Sequence, residues 1–288
     1  MLKLRQYSNR PKILLLFFMV FTLFGTCMMI FIRHFDFYCD RLYRNVDDEP
    51  IGSPVQIIHQ SWINSSIPTQ FLKFTHSWID FCFENWTYYL WSNEDNLNLV
   101  MMYYPWFLKK YLSFPREINR ADVARYMYMH HYGGIYTDLD NECLAPFENL
   151  LVNYSLVFGA MDGQFRGTKL REGLVQNSFF YSAPGHPFWL ELLELINESK
   201  GKDIPEIETG PVRLSNFIST YLRYNNFDKS IKIYGPIYFN PFSWLEGNDF
   251  ENHCKDKGQM SESDWEICRS RMKAIGAYVV QYHVHIWF

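Results

Sequence analysis

With 288 residues, 48% of them hydrophobic and 19% aromatic, the chain can bury a substantial core, which excludes a disordered protein. A formal charge of −4 leaves no broad basic field and excludes nucleic acid as a partner. Twenty Tyr and nine Trp suit a protein that stacks on sugar rings and nucleobases.

In chain order, Ile13–Ile32 comes first as twenty residues without a charge, flanked by Lys12 and Arg33. At 1.5 Å per residue such a helix spans roughly 30 Å, the hydrocarbon thickness of a bilayer. Lys3, Arg5, Arg10 and Lys12 precede it and hold residues 1–12 in the cytosol. A cleaved signal peptide is the competing reading, but its apolar region would be shorter, and Phe31-Ile-Arg-His-Phe35 offers no small-residue cleavage site. The expectation is a single-pass type II anchor at 13–32, a stem at 33–53 and a lumenal domain at 54–288 in the Golgi or ER. Sequons at Asn64, Asn85, Asn153 and Asn197 agree with a lumenal location. Five cysteines lie outside the apolar run; Cys254 and Cys268 could close a loop, but spacing alone does not pair the others.

Beyond the stem, Val55–His59 reads as a buried strand, Phe71–Phe83 as a helix and Thr87–Trp91 as a second strand. Two short helical stretches follow, broken at Pro105 and Pro115, and then a helix over Glu117–Tyr132 that Gly133-Gly134 stops. Ile135–Leu139 is the next strand, with further strands at Leu156–Ala160, Phe179–Ser182, Ile231–Tyr234 and Ala277–His283. Pro187–Glu198 and Pro211–Tyr224 are the helices between them. This alternation predicts an α/β domain with a central, mostly parallel sheet flanked by helices.

Chemistry concentrates between Arg120 and Asp140. On a strand, Tyr136, Asp138 and Asp140 would share one face. Two adjacent carboxylates repel each other, and a divalent cation such as Mn²⁺ or Mg²⁺ removes that cost while bridging to substrate phosphates. Asp122 and Arg125, three apart on the preceding helix, share a face that the glycine turn folds back toward these carboxylates. The plainer reading of that couple is a surface ion pair.

The run Arg120-Ala-Asp-x-x-Arg-Tyr126, followed by Tyr132-Gly-Gly-Ile-Tyr-x-Asp-Leu-Asp140, resembles the DXD-containing sugar-binding region of glycosyltransferase family 32. That family includes inositol-phosphoceramide mannosyltransferases and initiating α-mannosyltransferases. Ile57-Ile-His-Gln-Ser-Trp62, Asn85-Trp-Thr-Tyr-Tyr-Leu-Trp91, Asn177 with Ser182–Trp189, and Thr209-Gly-Pro211 extend the similarity over about Val55 to Pro211. The resemblance implies a GT-A type fold and transfer with retention at the anomeric carbon. It implies Asp138 at the donor and the metal, Asp140 as a direct metal ligand, and Asp122 with Arg125 on the donor sugar and phosphate. Tyr136 and Trp62 would line the nucleotide pocket, and Asn177 would lie beside donor or acceptor. On residue type alone, Trp62 also fits plain core packing and Asn177 a turn cap.

At the C-terminus His283 and His285 alternate onto one face, and either could supply a further metal ligand or be a satisfied structural histidine; Ile286 stands where the family has Ser. The expected partners are a UDP- or GDP-hexose and a glycolipid or glycan acceptor. The alternative is a lumenal sugar-binding scaffold without catalysis, against which the intact Asp122, Arg125, Asp138 and Asp140 argue.

Overall fold

The computed structural model describes residues 54–161, 174–201, 204–242, 249–254 and 261–284. The expected anchor at 13–32, the stem at 33–53 and His285 lie outside the described residues. Among the described residues no helix is long and apolar enough to cross a membrane.

The chain enters the sheet with β1 (Ile57–Ser61), two residues later than the pattern places it. Helix α1 (Thr69–His76) continues into a π-helical turn, Ser77–Cys82, and β2 (Thr87–Trp91) forms where expected. Ser92 opens α2 (Asn93–Tyr103) with a capping box: its hydroxyl accepts the Asp95 amide while the Asp95 carboxylate accepts the Ser92 amide. Then come α3 (Leu108–Ser113) and the long α4 (Glu117–His131). Gly133 and Gly134, at φ +67° and +92°, end α4 in left-handed backbone that a side chain would strain. A Cβ on Gly134 would also sit 2.5 Å from the Ile57 carbonyl, so the turn lies directly against β1. His59 of β1 fixes it there. Its Nδ1 accepts from the Trp91 indole at 3.0 Å, so its Nε2 carries the hydrogen and donates to the Gly133 carbonyl at 2.9 Å.

Strand β3 (Gly134–Thr137) follows, with β4 (Asn141–Cys143), β5 (Leu156–Met161) and β6 (Leu174–Ser182) after it. The remaining helices are α5 (Pro187–Glu198), α6 (Pro205–Glu208) and α7 (Pro211–Tyr224). Beyond them lie β7 (Ile231–Tyr234), α8 (Pro236–Phe239), α9 (Asp249–Cys254), α10 (Glu262–Ala274) and β8 (Val279–Gln281). The main sheet has six strands in the order β2-β1-β3-β6-β5-β7. It is mixed: β1 is parallel to β2 and β3, and β5 to β7, while β6 runs antiparallel to both neighbours. β4 and β8 pair antiparallel as a separate two-stranded sheet.

Apolar layers cover both faces. On one, Tyr126, Met127, Phe180, Trp189, Leu192 and Leu214 join α4, α5 and α7 to the sheet. On the other, Trp78, Phe83, Phe147, Phe179 and Phe239 form an aromatic layer. The parallel strands deliver Trp62, Trp91 and Asp138 to one edge, and the reversed β6 brings Asn177 and Ser178 to the same edge from its opposite end. In open α/β sheets this carboxyl edge is where ligands bind.

Candidate active site

The two carboxylates do not share a strand face. Strand β3 ends at Thr137, and Asp138–Asp140 form a turn into β4. The Asp138 amide still donates to the Ser178 carbonyl at 2.9 Å, so the backbone leaves the sheet only after that bond. Turn geometry displaces the alternation because Asn141 reaches back: its amide donates to the Asp138 carbonyl, and its side-chain Nδ2 to Thr137 Oγ1 and the Ser178 carbonyl.

Further groups hold the turn at entry and exit. Gln60 Nε2 donates to the Asp138 carbonyl, and its Oε1 accepts from Thr75 and Tyr88, both at 2.9 Å. At the exit, the Trp78 indole donates to the Asn141 carbonyl, the Cys143 amide donates to Ser77 Oγ, and Cys82 is disulfide-bonded to Cys143. Ser77, Trp78 and Cys82 all belong to the π-helical turn, whose wider register brings them against one short segment. The second disulfide, Cys254–Cys268, is the loop closure that the sequence left as one option.

Asp138 Oδ1 accepts from the Tyr136 hydroxyl at 2.6 Å and lies 3.1 Å from the Arg125 guanidinium, which itself sits 4.6 Å over the Tyr136 ring. Arg125 also donates to the Asn177 carbonyl at 2.7 Å and approaches Asp122 Oδ1 at 3.5 Å. Asp122 and Arg125 are 2% and 1% exposed, so they are not a surface ion pair. Arg125 is the buried cation shared by two carboxylates, and a buried charge persists only when paired and hydrogen-bonded in this way. Asp122 has further partners: Asn177 Nδ2 donates to Oδ1 at 2.9 Å, and Thr209 Oγ1 to Oδ2 at 2.8 Å. Thr209 and Asn119, which donates to Thr209 at 3.0 Å, carry no role in the sequence reading. The available signals were that Asn119 and Asp122 fall three apart on a helical face and that Thr209-Gly-Pro211 is one of the blocks of resemblance.

Burial is the main force on the acids. It raises Asp122 from 3.8 to about 6 against the opposing pull of Arg125 and the Thr209 hydrogen bond. It raises Asp138 as well, with Arg125 and Tyr136 opposing. Asp140 goes furthest, to about 7, because the negative charge of Asp138 adds to burial while the Val284 amide only partly offsets both. That amide donates to Asp140 Oδ2 at 3.0 Å, and the Tyr282 amide to the Asp140 carbonyl.

His283 lies between those two donors, buried, with φ of +51°. Among the described residues no three His, Cys, Asp or Glu side chains gather into a metal cage. The donor set still fits Mn²⁺ or Mg²⁺: hard carboxylate oxygens on two neighbouring acids, whose ionised forms burial disfavours and a cation would favour. Such ions commonly take one or two carboxylates and complete their shell with substrate phosphate and water. Asp138 and Asp140 are the residues that would hold one. Trp62 sits half-buried beyond β1, its ring edge-on to Phe71 at 5.8 Å, in the apolar cluster that includes Leu139 and Tyr282. The structure thus brings Asp122, Arg125, Tyr136, Asp138 and Asn177 into one bonded group. Asp140 and His283 lie in the adjoining segments, and Trp62 flanks them.

Residues 68–157 match the model of the glycosyltransferase sugar-binding region containing the DXD motif. This segment carries that region. The match is narrower than the span from Val55 to Pro211 over which resemblance was expected. The chain is 33% identical over 176 residues to mannosyl phosphorylinositol ceramide synthase CSH1 of Saccharomyces cerevisiae, covering 59% of this chain and 44% of that protein. It is 33% identical over 179 residues to inositol phosphoceramide mannosyltransferase 3 of Schizosaccharomyces pombe, covering 59% and 46%. An initiation-specific alpha-1,6-mannosyltransferase of Candida albicans is 27% identical over 140 residues, covering 46% and 34%. The matches therefore span less than half the length of each of these relatives. Among solved structures, the PaToxG glycosyltransferase aligns with a TM-score of 0.43 at 12% identity, over 80% of this chain and 90% of that one.

Proposed function

We propose that this chain is a metal-dependent, retaining glycosyltransferase of GT-A type that moves a hexose from a nucleotide-sugar to a glycolipid. The observation that carries this reading is the bonded group Asp122–Asn177–Arg125–Asp138 at the carboxyl edge, with Asp140 in the same turn as Asp138 and all but Asn177 inside the DXD region. The relatives' names favour mannose as the hexose and inositol phosphoceramide as the acceptor. The donor is a GDP- or UDP-hexose. The setting is the Golgi or ER lumen, with the 13–32 segment as anchor.

In this reading Asp138 and Asp140 would hold Mn²⁺ or Mg²⁺ at the donor's diphosphate end, with His283 as a further candidate ligand. The cation, when bound, compensates the negative charge of a departing nucleoside diphosphate. Tyr136 and Arg125 fix the Asp138 carboxylate through Oδ1. Asp122, held by Asn177 at Oδ1 and by Thr209 at Oδ2, orients the donor's sugar hydroxyls. Arg125 holds Asp138 and Asp122 through its terminal nitrogens, which places its charge between the two acids. Asn177 and Trp62 line the sides of the site.

The test is to incubate the full chain in detergent or vesicles with GDP- and UDP-hexoses and inositol phosphoceramide, with Mn²⁺ or with chelator. Transfer is expected only with the metal, and Asp140→Asn should abolish it while leaving the thermal transition cooperative. Undiminished transfer in chelator or in Asp140→Asn would overturn the carboxylate–metal assignment. Binding of donor with no turnover on any acceptor would favour the scaffold alternative.

A further inference from the structure

We propose that Thr209, with Asn119 behind it, is a positioning residue that aims the Asp122 carboxylate into the donor site. The proposal rests on the reading of Asp122 as a donor-sugar residue. Asn119, Asp122 and Tyr126 occupy α4 at spacings of three and four, one face of the helix, and all three bond to Thr209. The Tyr126 hydroxyl donates to the Thr209 carbonyl at 2.6 Å. Asn119 Nδ2 donates to Thr209 Oγ1 at 3.0 Å, and Oγ1 lies 2.8 Å from Asp122 Oδ2. Asn119, Thr209 and Asp122 are 1%, 0% and 2% exposed, so bulk water does not compete for these bonds.

The direction of the central bond follows from counting hydrogens. A threonine hydroxyl has one hydrogen and two lone pairs. Asn119 supplies a donor to one lone pair, which leaves the single hydrogen for an acceptor. Asp122 at 2.8 Å is the closer and charged one; the Pro205 carbonyl is at 3.4 Å. A hydrogen bond to a carboxylate is shorter and stronger than one to a neutral carbonyl. The hydroxyl is thus polarised toward Asp122 by its neighbour.

The two bonds on Asp122 come from different elements. Asn177 holds Oδ1 from β6, and Thr209 holds Oδ2 from the junction of α6 and α7. Together they fix both the position and the rotation of the carboxylate plane, which a single bond would leave free to turn. The junction is itself rigid. Gly210 lets the two helices meet, since a Cβ there would lie 2.9 Å from Glu206 Cα. Lys110 pairs with Glu208, the residue before Thr209, at 3.2 Å in a largely buried contact.

The experiment compares Thr209→Val, Thr209→Ser and Asp122→Asn with the wild-type full chain. Two quantities are read: turnover with the intact donor, and calorimetric affinity for the free nucleoside diphosphate with Mn²⁺. Thr209→Val keeps the shape and loses the hydroxyl. It is expected to reduce turnover about 10-fold or more, by misaligning a positioned group, with diphosphate affinity unchanged. Thr209→Ser keeps the hydroxyl and should retain most of the turnover. If Thr209→Val turns over like wild type while Asp122→Asn loses about 100-fold, the positioning role is wrong and the donor-site reading stands. If Asp122→Asn is itself silent, both fall. Equal losses in Thr209→Val and Thr209→Ser would mean that the methyl group matters and would overturn the proposal. Should Thr209→Val fail to fold, Asn119→Leu, which removes the donor that directs the hydroxyl, must lower turnover with diphosphate affinity intact, or the proposal fails.

Discussion

Asp122, Asp138 and Asp140 differ in how their charge is managed, although all three are acids of the candidate site. Asp122 and Asp138 share the buried cation of Arg125, whereas Asp140 has a backbone amide and the charge of Asp138 beside it. Folded-state pKa values of about 6 for Asp122 and about 7 for Asp140, against 3.8 ordinarily, mean that the native protein holds protons the unfolded chain has released. The sign follows: stability from these groups is full below about pH 4, falls as pH rises from about 4 to about 7, and is level above. A cation on ionised Asp140 reverses the cost of its charge, so metal should stabilise the protein more at pH 7.5 than at pH 5. Urea midpoints of the metal-free and Mn²⁺–nucleoside diphosphate forms across that range are the measurement. Asp140→Asn should flatten both the slope above pH 6 and the metal response; an equal metal response at pH 5 and 7.5 would refute the coupling. At this scale the sequence was a partial guide. Asp122, Arg125, Tyr136 and Asp138 are grouped by one motif, and Asn177 by a later block of the same resemblance. Their bonding did not stand out, because Asp122 takes its donors from residues 55 and 87 positions away. For Arg125 the resemblance implies a place on the donor with Asp122, and the fold adds its pairing with Asp138, which spacing does not show.

The π-helical turn after α1 is the element on which the geometry of the DXD turn most depends. It supplies Trp78 to the Asn141 carbonyl, Ser77 to the Cys143 amide and Cys82 to the disulfide, three ties on the strand that leaves Asp140. The Cys82–Cys143 bond closes a separation of 61 residues, which on loop entropy alone contributes about 4 kcal/mol. The double variant Cys82→Ser, Cys143→Ser should therefore lose about 2–4 kcal/mol in urea unfolding. Metal-dependent transfer should weaken with it, because β4 and the Asp140 turn share that anchor. A variant with unchanged unfolding midpoint in non-reducing buffer would show that the crosslink does not contribute. Elements with strong patterns were readable beforehand: β2, α5, α7 and β7 lie where their patterns put them, and α4 ends one residue early at His131. Strand β4 was not, since Asn141-Glu-Cys143 is too short and too polar to show a period, and it exists through β8 and the π-helical ties. Helix α10 was missed because it buries only Trp265, Cys268 and Met272, a narrow stripe in a run dense with charge. Strand β3 stopped before Asp138 because Asn141 bonds back across the turn, a tertiary choice that alternation cannot register.

Across the whole molecule, the mixed sheet gathers residues from Gln60 to Thr209 at one edge, and the groups proposed for sugar and metal meet there by topology and not by sequence proximity. A glycolipid acceptor would require that edge to work beside a membrane, and the 13–32 segment is the expected tether. Its basic flank, Lys3 to Lys12, predicts a cytosolic N-terminus and a lumenal site. The fold offers a check on this orientation that does not involve the anchor. Asn64, Asn85, Asn153 and Asn197 are all exposed, so a glycan on any of them can be accommodated without disturbing the core. Asn85 and Asn153 lie in turns, where chain extension toward a modifying enzyme meets little resistance, while Asn197 belongs to the last turn of α5. Translation of the full chain into microsomes should therefore give a glycosidase-sensitive mass increase. It should shrink when Asn85 and Asn153 are changed to Gln and vanish when all four are changed. In the same sealed vesicles, added protease should remove no more than the short N-terminal tail. Digestion of the large domain with no glycosidase-sensitive shift would place the site on the cytosolic side, and the lumenal reading would then be wrong even with the carboxylate chemistry intact.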